Sequence, residues 1–368
     1  MSEPATGQRL WVEAFRVERA GIDPLAGLAG AVATGGPLAL GVAVGEPAIG
    51  VIGCFGGLNA ALAVPRGPLR ERLGWGIGAA LLCTLAVALS TFVQPSAVAT
   101  VVAAFLLVAL ATALRCFGPD GGLTGFVIGA IFTITAGIPA EGLDVGERTL
   151  WFAAGSAIGV VLMVLAYARD HPLDAAHSVT SRAGAEAALP LRAVLADGAR
   201  QLRETLAHDA LLRAHALRLA TVVALTTALY RAFELEHGYW IPLTVLAVLQ
   251  PDEHASRVRA LQRGLGTLIG TVVIALLIIL TGQQWAMVAA QTLCAFGLFA
   301  LFARGYFWLV VLLTPTALLT ISAVDYEGAG IALQRAGWSA VGIVTGLAIG
   351  ELVWRLAPHL PSVRRPVR

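Results

Sequence analysis

The residues best equipped for chemistry gather late in the chain. Tyr239-Trp240-Ile241-Pro242-Leu243-Thr244-Val245 leads into Leu249-Gln250-Pro251-Asp252, and Arg257, Arg259 and Arg263 follow ahead of Gly264-Leu265-Gly266-Thr267. Arg259 and Arg263 are four apart, so on a helix they share a face, and each guanidinium can fork onto a carboxylate. Two further arginines, Arg148 and Arg335, each stand just before a long apolar window. This is the equipment of anion recognition rather than of bond breaking. No nucleophile–base constellation, metal-ligand spacing or phosphate-cradling glycine loop is present, so neither an enzyme nor a cofactor or metal is expected. All 25 residues of the Lys+Arg count are arginine, which excludes a lysine Schiff base, a Walker lysine and a lysine general base. A net charge of +2, with no basic stretch carrying interleaved aromatics, sets nucleic acid aside as a partner. The cysteines, Cys54, Cys83, Cys116 and Cys294, stand singly and read as small core residues.

The elements that must position these groups are membrane helices. The chain is 57% hydrophobic and 13% charged, with mean hydropathy +0.79, where a soluble domain has about a quarter of its residues charged. A helix crossing about 30 Å of hydrocarbon needs roughly 20 apolar residues. Windows of that kind cover 24–45, 47–65, 73–114 (double, broken at Gln94-Pro95-Ser96), 121–140 and 149–168. After a polar middle they resume at 219–230, 237–251, 264–303 (double, broken at Thr281-Gly282-Gln283-Gln284), 305–324 and 336–350. The expectation is an all-α membrane protein of twelve spans. Its parts are an amphipathic N-terminal segment (1–22), a first six-helix repeat (23–169), linker helices (170–212), a second repeat (213–357) and a tail (358–368). With both termini in the cytoplasm, all but Arg148, Arg231 and Arg335 of the arginines fall inside, as the positive-inside rule requires. Leu10, Trp11 and Phe15 on one face suggest an interfacial anchor helix.

The two halves repeat. A shift of 187 residues lays Arg148-x-x-Trp151-x-x-x-Gly155-x-x-x-Gly159 on Arg335-x-x-Trp338-x-x-x-Gly342-x-x-x-Gly346, and Ala113-Leu114-x-x-x-Gly118 on Ala300-Leu301-x-x-x-Gly305. A shift of 192 lays Gly74-x-x-x-Gly78 on Gly266-x-x-x-Gly270. Because each unit has an even number of spans, the expected pseudo-twofold runs along the membrane normal with the functional path between the halves. Glycines four apart are read as close-packing positions.

The span holding Trp240 and Pro242 is short, and its counterpart carries Pro47, Gly50, Gly53, Gly56 and Gly57; broken spans in matching positions point to a transport site. A simple kink at Pro242 is the alternative. Arg66, Arg70, Arg72 and Arg257 read as headgroup anchors, and Asp252 as an arginine partner or a helix cap. Arg148 and Arg335 could face each other across a pore or pair with Glu141, Glu147, Asp325 or Glu327. Glu351 and His254 are the candidates for proton coupling.

The string from Tyr239 to Asp252, with Arg259, Arg263, Gly266, Thr267 and Gly270, resembles the fusaric acid resistance and aromatic acid exporter family, which is related to the plant aluminium-activated malate transporters. The resemblance implies that Trp240, Pro242, Asp252, Arg259 and Arg263 belong to a family signature and that Arg335 matches an arginine opening the last helix of the unit. The first half lacks the W-I-P-L-T-V and P-D strings, and the large cytoplasmic domains of many relatives are missing. The expected function is export of organic, above all aromatic, carboxylate anions across the bacterial cytoplasmic membrane along Arg259, Arg263, Arg148 and Arg335. The expected partners are that anion and the lipid bilayer; one chain can form the pore, with homo-oligomers left open. A passive anion channel and a non-transporting envelope scaffold or accessory subunit are the alternatives.

Overall fold

A computed structural model describes residues 11, 13–15, 21–140, 142–169, 191–281, 283–323 and 330–356. Segments 170–190 of the linker and 358–368 of the tail, and Glu141, Asp325 and Glu327, lie outside the described residues. Among those described there is no strand. Six helices precede the linker: α1 (Pro24–Ala43), α2 (Pro47–Ala63), α3 (Leu69–Val93), α4 (Ala97–Ala113), α5 (Pro119–Gly137) and α6 (Val145–Ala166). The linker helix α7 (Leu191–His208) is followed by six more: α8 (Ala210–Ala232), α9 (Trp240–Val248), α10 (Glu253–Thr281), α11 (Gln284–Ala300), α12 (Tyr306–Ser322) and α13 (Gly330–Leu356).

Local sequence sets these boundaries. Pro24, Pro47 and Pro119 open α1, α2 and α5, where proline's missing N–H costs nothing. Asp23, Ser96 and Asp209 cap α1, α4 and α8, and Asp144 with Glu147 closes a capping box on α6. Gly118 and Gly305, paired by the 187-residue shift, turn the chain into α5 and α12 with φ of 87° and 115°, a conformation that only glycine adopts without strain.

Among the described residues seven helices, α1, α3, α4 (with its 3-10 extension), α5, α6, α8 and α10, are long and apolar enough to cross a bilayer. The protein is therefore a multi-pass membrane protein. Leu81, Leu85, Phe92, Leu106 and Leu110 project outward from α3 and α4, which suits contact with lipid and would be costly in water. Helices α2, α11 and α12 are apolar but only 17 residues long.

Four helix pairs of the first half have counterparts in the second. Contacts α2 with α6, α3 with α5, α3 with α6 and α4 with α5 are matched by α9 with α13, α10 with α12, α10 with α13 and α11 with α12. Between the halves, α1 packs on α11 and α4 on α8. The repeated glycines enable the tightest of these approaches: a Cβ at Gly155 would lie 1.9 Å from the Gly53 carbonyl oxygen, and one at Gly342 would lie 2.7 Å from Thr244 Cβ.

Three expectations need correction. Gly74 and Gly78 have nothing within 4 Å of a Cβ position, so they pack against no neighbouring helix. Helix α2 is not interrupted; Pro47 is its first residue, and Gly53, Gly56 and Gly57 let α1 and α6 approach. Arg72 is no headgroup anchor: it is fully buried and donates to the Val164 carbonyl at 2.8 Å, tying α3 to the end of α6. The described N-terminal residues touch the bundle, with Phe15 edge-on against Phe307 at 5.1 Å and Gln262 donating to the Ala14 carbonyl, and they leave Trp11 and Phe15 exposed. The cysteines fit the reading of core residues at Cys54, Cys83 and Cys294, whereas Cys116 is half-buried.

Candidate anion site

Helix α9 is the organising element. Its nine residues rise only about 13 Å, too little to cross a bilayer, and all of them are buried. Pro242 sits in its first turn, where no backbone N–H is required, so it starts a short helix rather than kinking a long one. The chain then runs through Leu249 and Gln250 to Asp252, whose carboxylate accepts from the Ala255 amide at 2.9 Å and caps α10.

Where α9 ends and α10 and α12 begin, a cavity of about 540 Å³ opens between the halves. Its polar lining is Thr112, Arg115, Gln250, Arg259 and Tyr306; Leu62, Phe126, Leu219, Leu246, Leu309 and Leu313 supply apolar walls. Arg115, in the turn after α4, donates to Gln250 Oε1 at 3.0 Å. Gln250 is fixed in turn by Arg218, which donates to its carbonyl at 2.6 Å, and by Ser256, which accepts from its amide at 2.9 Å. The Arg259 guanidinium lies 3.9 Å from the centre of the Tyr306 ring, a cation–π contact, and Arg115 and Arg259 are close enough to repel each other. Two cations facing one cavity from different halves create a positive potential that draws in anions.

Deeper in the second half, Arg263 on α10 and Arg335 on α13 are both buried and lie within electrostatic reach of each other, as do Tyr239 and Tyr306 of Arg335. Arg335 stands 5.2 Å above the Trp240 ring, which His237 stacks on at 4.9 Å and Tyr239 meets edge-on. His237 and Tyr239 also line a second cavity of about 620 Å³ at the opposite end of the bundle, with Arg231, Glu234 and Glu236. Arg115, Arg259 and Tyr306 thus line the first cavity, Tyr239 and His237 the second, and Arg263 and Arg335 with Trp240 are buried within the second half.

The remaining candidates lie elsewhere. Arg148 lines a separate pocket of about 20 Å³ with Ile138, Pro139 and Leu143 and donates to the Ile138 carbonyl. Asp252 is exposed and caps a helix; His254 pairs with Glu13 at 2.7 Å on the surface. Glu351 is sixteen residues beyond Arg335 on α13, about 24 Å along the axis. Arg66 pairs with Asp23 and Arg257 with Glu253. Sequence reading missed Arg115, Gln250, Tyr306 and His237. Gln250 lay inside the motif, but Arg115 looked like any arginine flanking a span.

An apolar helical bundle with several helices long enough to cross a bilayer is the architecture of a multi-pass membrane protein. Residues 223–349 match the family model described as fusaric acid resistance protein-like, so the resemblance carried by Tyr239 to Gly270 holds across most of the second half. The chain is 30% identical over 145 residues to the inner membrane protein YccS of Escherichia coli (strain K12), covering 38% of this chain and 19% of that protein. It is 32% identical over 121 residues to a protein of Haemophilus influenzae, 33% of this chain and 17% of that one. It is 27% identical over 140 residues to protein YhfK of Escherichia coli (strain K12), 37% of this chain and 19% of that one. The matched stretches thus span less than a fifth of these relatives. No solved structure matches the chain.

Proposed function

We propose that this protein exports organic carboxylate anions, aromatic ones included, across a bacterial cytoplasmic membrane. The single observation that carries the reading is the cavity between the halves, where Arg115 and Arg259 face apolar walls. A guanidinium forks onto a carboxylate, and leucine and phenylalanine side chains receive the apolar body that such an anion carries. In the proposed topology twelve segments cross as two six-helix units about a pseudo-twofold along the membrane normal, the short helix α9 completing its crossing with the chain on either side of it. The matched packing pairs and the paired glycine turns at Gly118 and Gly305 support it. The linker end of the bundle faces the cytoplasm, in keeping with the arginine distribution. A cell interior that is electrically negative then drives the anion outward, at about 2.3 kcal/mol per charge per 100 mV.

On this reading Arg115 and Arg259 collect the anion, and Arg263 and Arg335 relay it past Trp240 to the outer cavity. The test is efflux of radiolabelled benzoate from proteoliposomes containing the full chain. Arg115→Gln and Arg259→Gln are each expected to cut initial efflux about tenfold, the scale of one lost charge-assisted hydrogen bond. Efflux equal to that of empty liposomes would sink transport of this class, and efflux untouched by both substitutions would remove the cavity from the route. Single-channel currents far above carrier turnover would favour a passive channel.

A further inference from the structure

We infer that the interior of the second six-helix unit holds an oxyanion-binding site of its own, between Arg263 and Arg335, separate from the cavity between the halves. Arg263 is 3% exposed and Arg335 6% exposed. Among the described residues neither pairs with a carboxylate, and Nε of Arg263 and Nη1 of Arg335 have no hydrogen-bond partner. An uncompensated buried charge costs several kcal/mol, and here two like charges lie near each other. Burial of this kind persists when something negative occupies the space between.

The surroundings are built to the same purpose. The hydroxyls of Thr267 and Thr271 on α10, Thr244 on α9 and Ser339 on α13 are buried and also lack partners among the described residues. Thr267 and Thr271 continue the Arg263 face of α10 at spacings of four, and Ser339 continues the Arg335 face of α13. Buried polar groups are ordinarily satisfied, so an orphaned stripe running along two cations marks a hydrophilic seam that an anion and its water fill. The Trp240 ring beneath Arg335 forms its wall, and His237 and Tyr239 separate it from the outer cavity.

The first unit shows that the seam is not a requirement of the fold. At the positions related by the repeat shifts, Arg263 is replaced by Glu71, Thr267 by Trp75, Thr271 by Ala79 and Ser339 by Phe152. The same helix pairs pack there without that stripe of hydroxyls, and the buried cation of α3, Arg72, donates to the Val164 carbonyl. Only Arg335 keeps its counterpart, Arg148, in a pocket of about 20 Å³. The ligand is an oxyanion of carboxylate type, since paired guanidinium forks flanked by hydroxyl donors match planar oxygen acceptors.

The experiment uses the purified full chain and iodide as probe, because a heavy anion held beside an indole quenches its fluorescence. The Trp240 signal is taken as the difference between wild type and Trp240→Phe. The expected result is a saturable quench that benzoate reverses competitively. It should weaken about tenfold or more in Arg335→Gln, less in Arg335→Lys, and persist in Arg115→Gln. A quench that rises linearly with iodide, or that benzoate fails to reverse in the wild type, overturns the inference without recourse to any variant. The site's existence does not rest on the transport reading, and the two fail separately. Efflux insensitive to Arg115→Gln beside a saturable quench removes the cavity alone. Efflux lost in Arg115→Gln without a saturable quench removes the interior site alone.

Discussion

The guanidinium of Arg335 lies 5.2 Å from the centre of the Trp240 ring, joining the last helix of the second half to the short buried helix α9. Both groups are buried, so the contact is desolvated and worth about 2 kcal/mol. Trp240→Ala removes that contact and leaves a cavity. Benzoate efflux should fall about tenfold or more, and Trp240→Phe, which keeps a weaker π-face, should recover part of it. Equal activity in wild type and Trp240→Ala would show that the ring plays no part in holding Arg335.

Gln250 bridges Arg115 and Arg218 from opposite halves. Gln250→Glu has nearly the same shape but places a carboxylate on Arg115, where it competes with substrate. The expectation is a higher KM for benzoate, by about tenfold from one charge-assisted contact, with the maximal rate little changed. A concentration series of efflux for the two proteins checks it, and an unchanged KM would separate Arg115 from substrate binding.

Much of this architecture was legible in the sequence, because apolar windows and proline or glycine punctuation report directly on helix limits. Pro24, Pro47 and Pro119 each open a helix, and Gln94 and Pro95 mark a tight turn. The motif put Trp240, Arg259 and Arg263 in one stretch of sequence, but spacing set Arg335 on the outer side with Arg148 and did not bring it to Trp240. What sequence spacing does not encode is which helix faces meet. Arg148 and Arg335 occupy one repeat position, but α10 offers Arg335 a cation and hydroxyls while α3 offers Arg148 none at the matching places. Arg115 was overlooked because its importance depends on Gln250, a residue 135 positions away.

Close approach separates the glycines by consequence. A Cβ at Gly56 would lie 2.2 Å from the Phe152 carbonyl, whereas Gly74 and Gly78 face open space. Gly56→Ala should lower stability by about 1–3 kcal/mol, the usual cost of overpacking, read as a lower melting temperature of the detergent-purified protein. Gly74→Ala and Gly78→Ala should match or slightly exceed wild type, since alanine favours the helix by about 1 kcal/mol. Loss of stability at Gly74 or Gly78 would mean that those faces contact something outside the chain.

The topology can be tested at two turns expected on opposite sides of the membrane. Ser96 caps α4 in the exposed turn after α3, and Gln201 lies exposed on α7. In the proposed orientation the first faces outward and the second faces the cytoplasm. Cys116, the one native cysteine that is not buried, is first replaced by serine. Ser96→Cys should then react with a membrane-impermeant maleimide in intact cells, and Gln201→Cys only after the membrane is opened. Helices of adequate length separate the two positions by an odd number of crossings if all six helices of the first unit span, which places them on opposite faces. Labelling of both in intact cells would therefore mean that one of α4, α5 or α6 fails to cross. Labelling of Gln201→Cys alone would invert the protein, turning the cavity of Arg115 and Arg259 outward and making it an entry site for uptake instead of export.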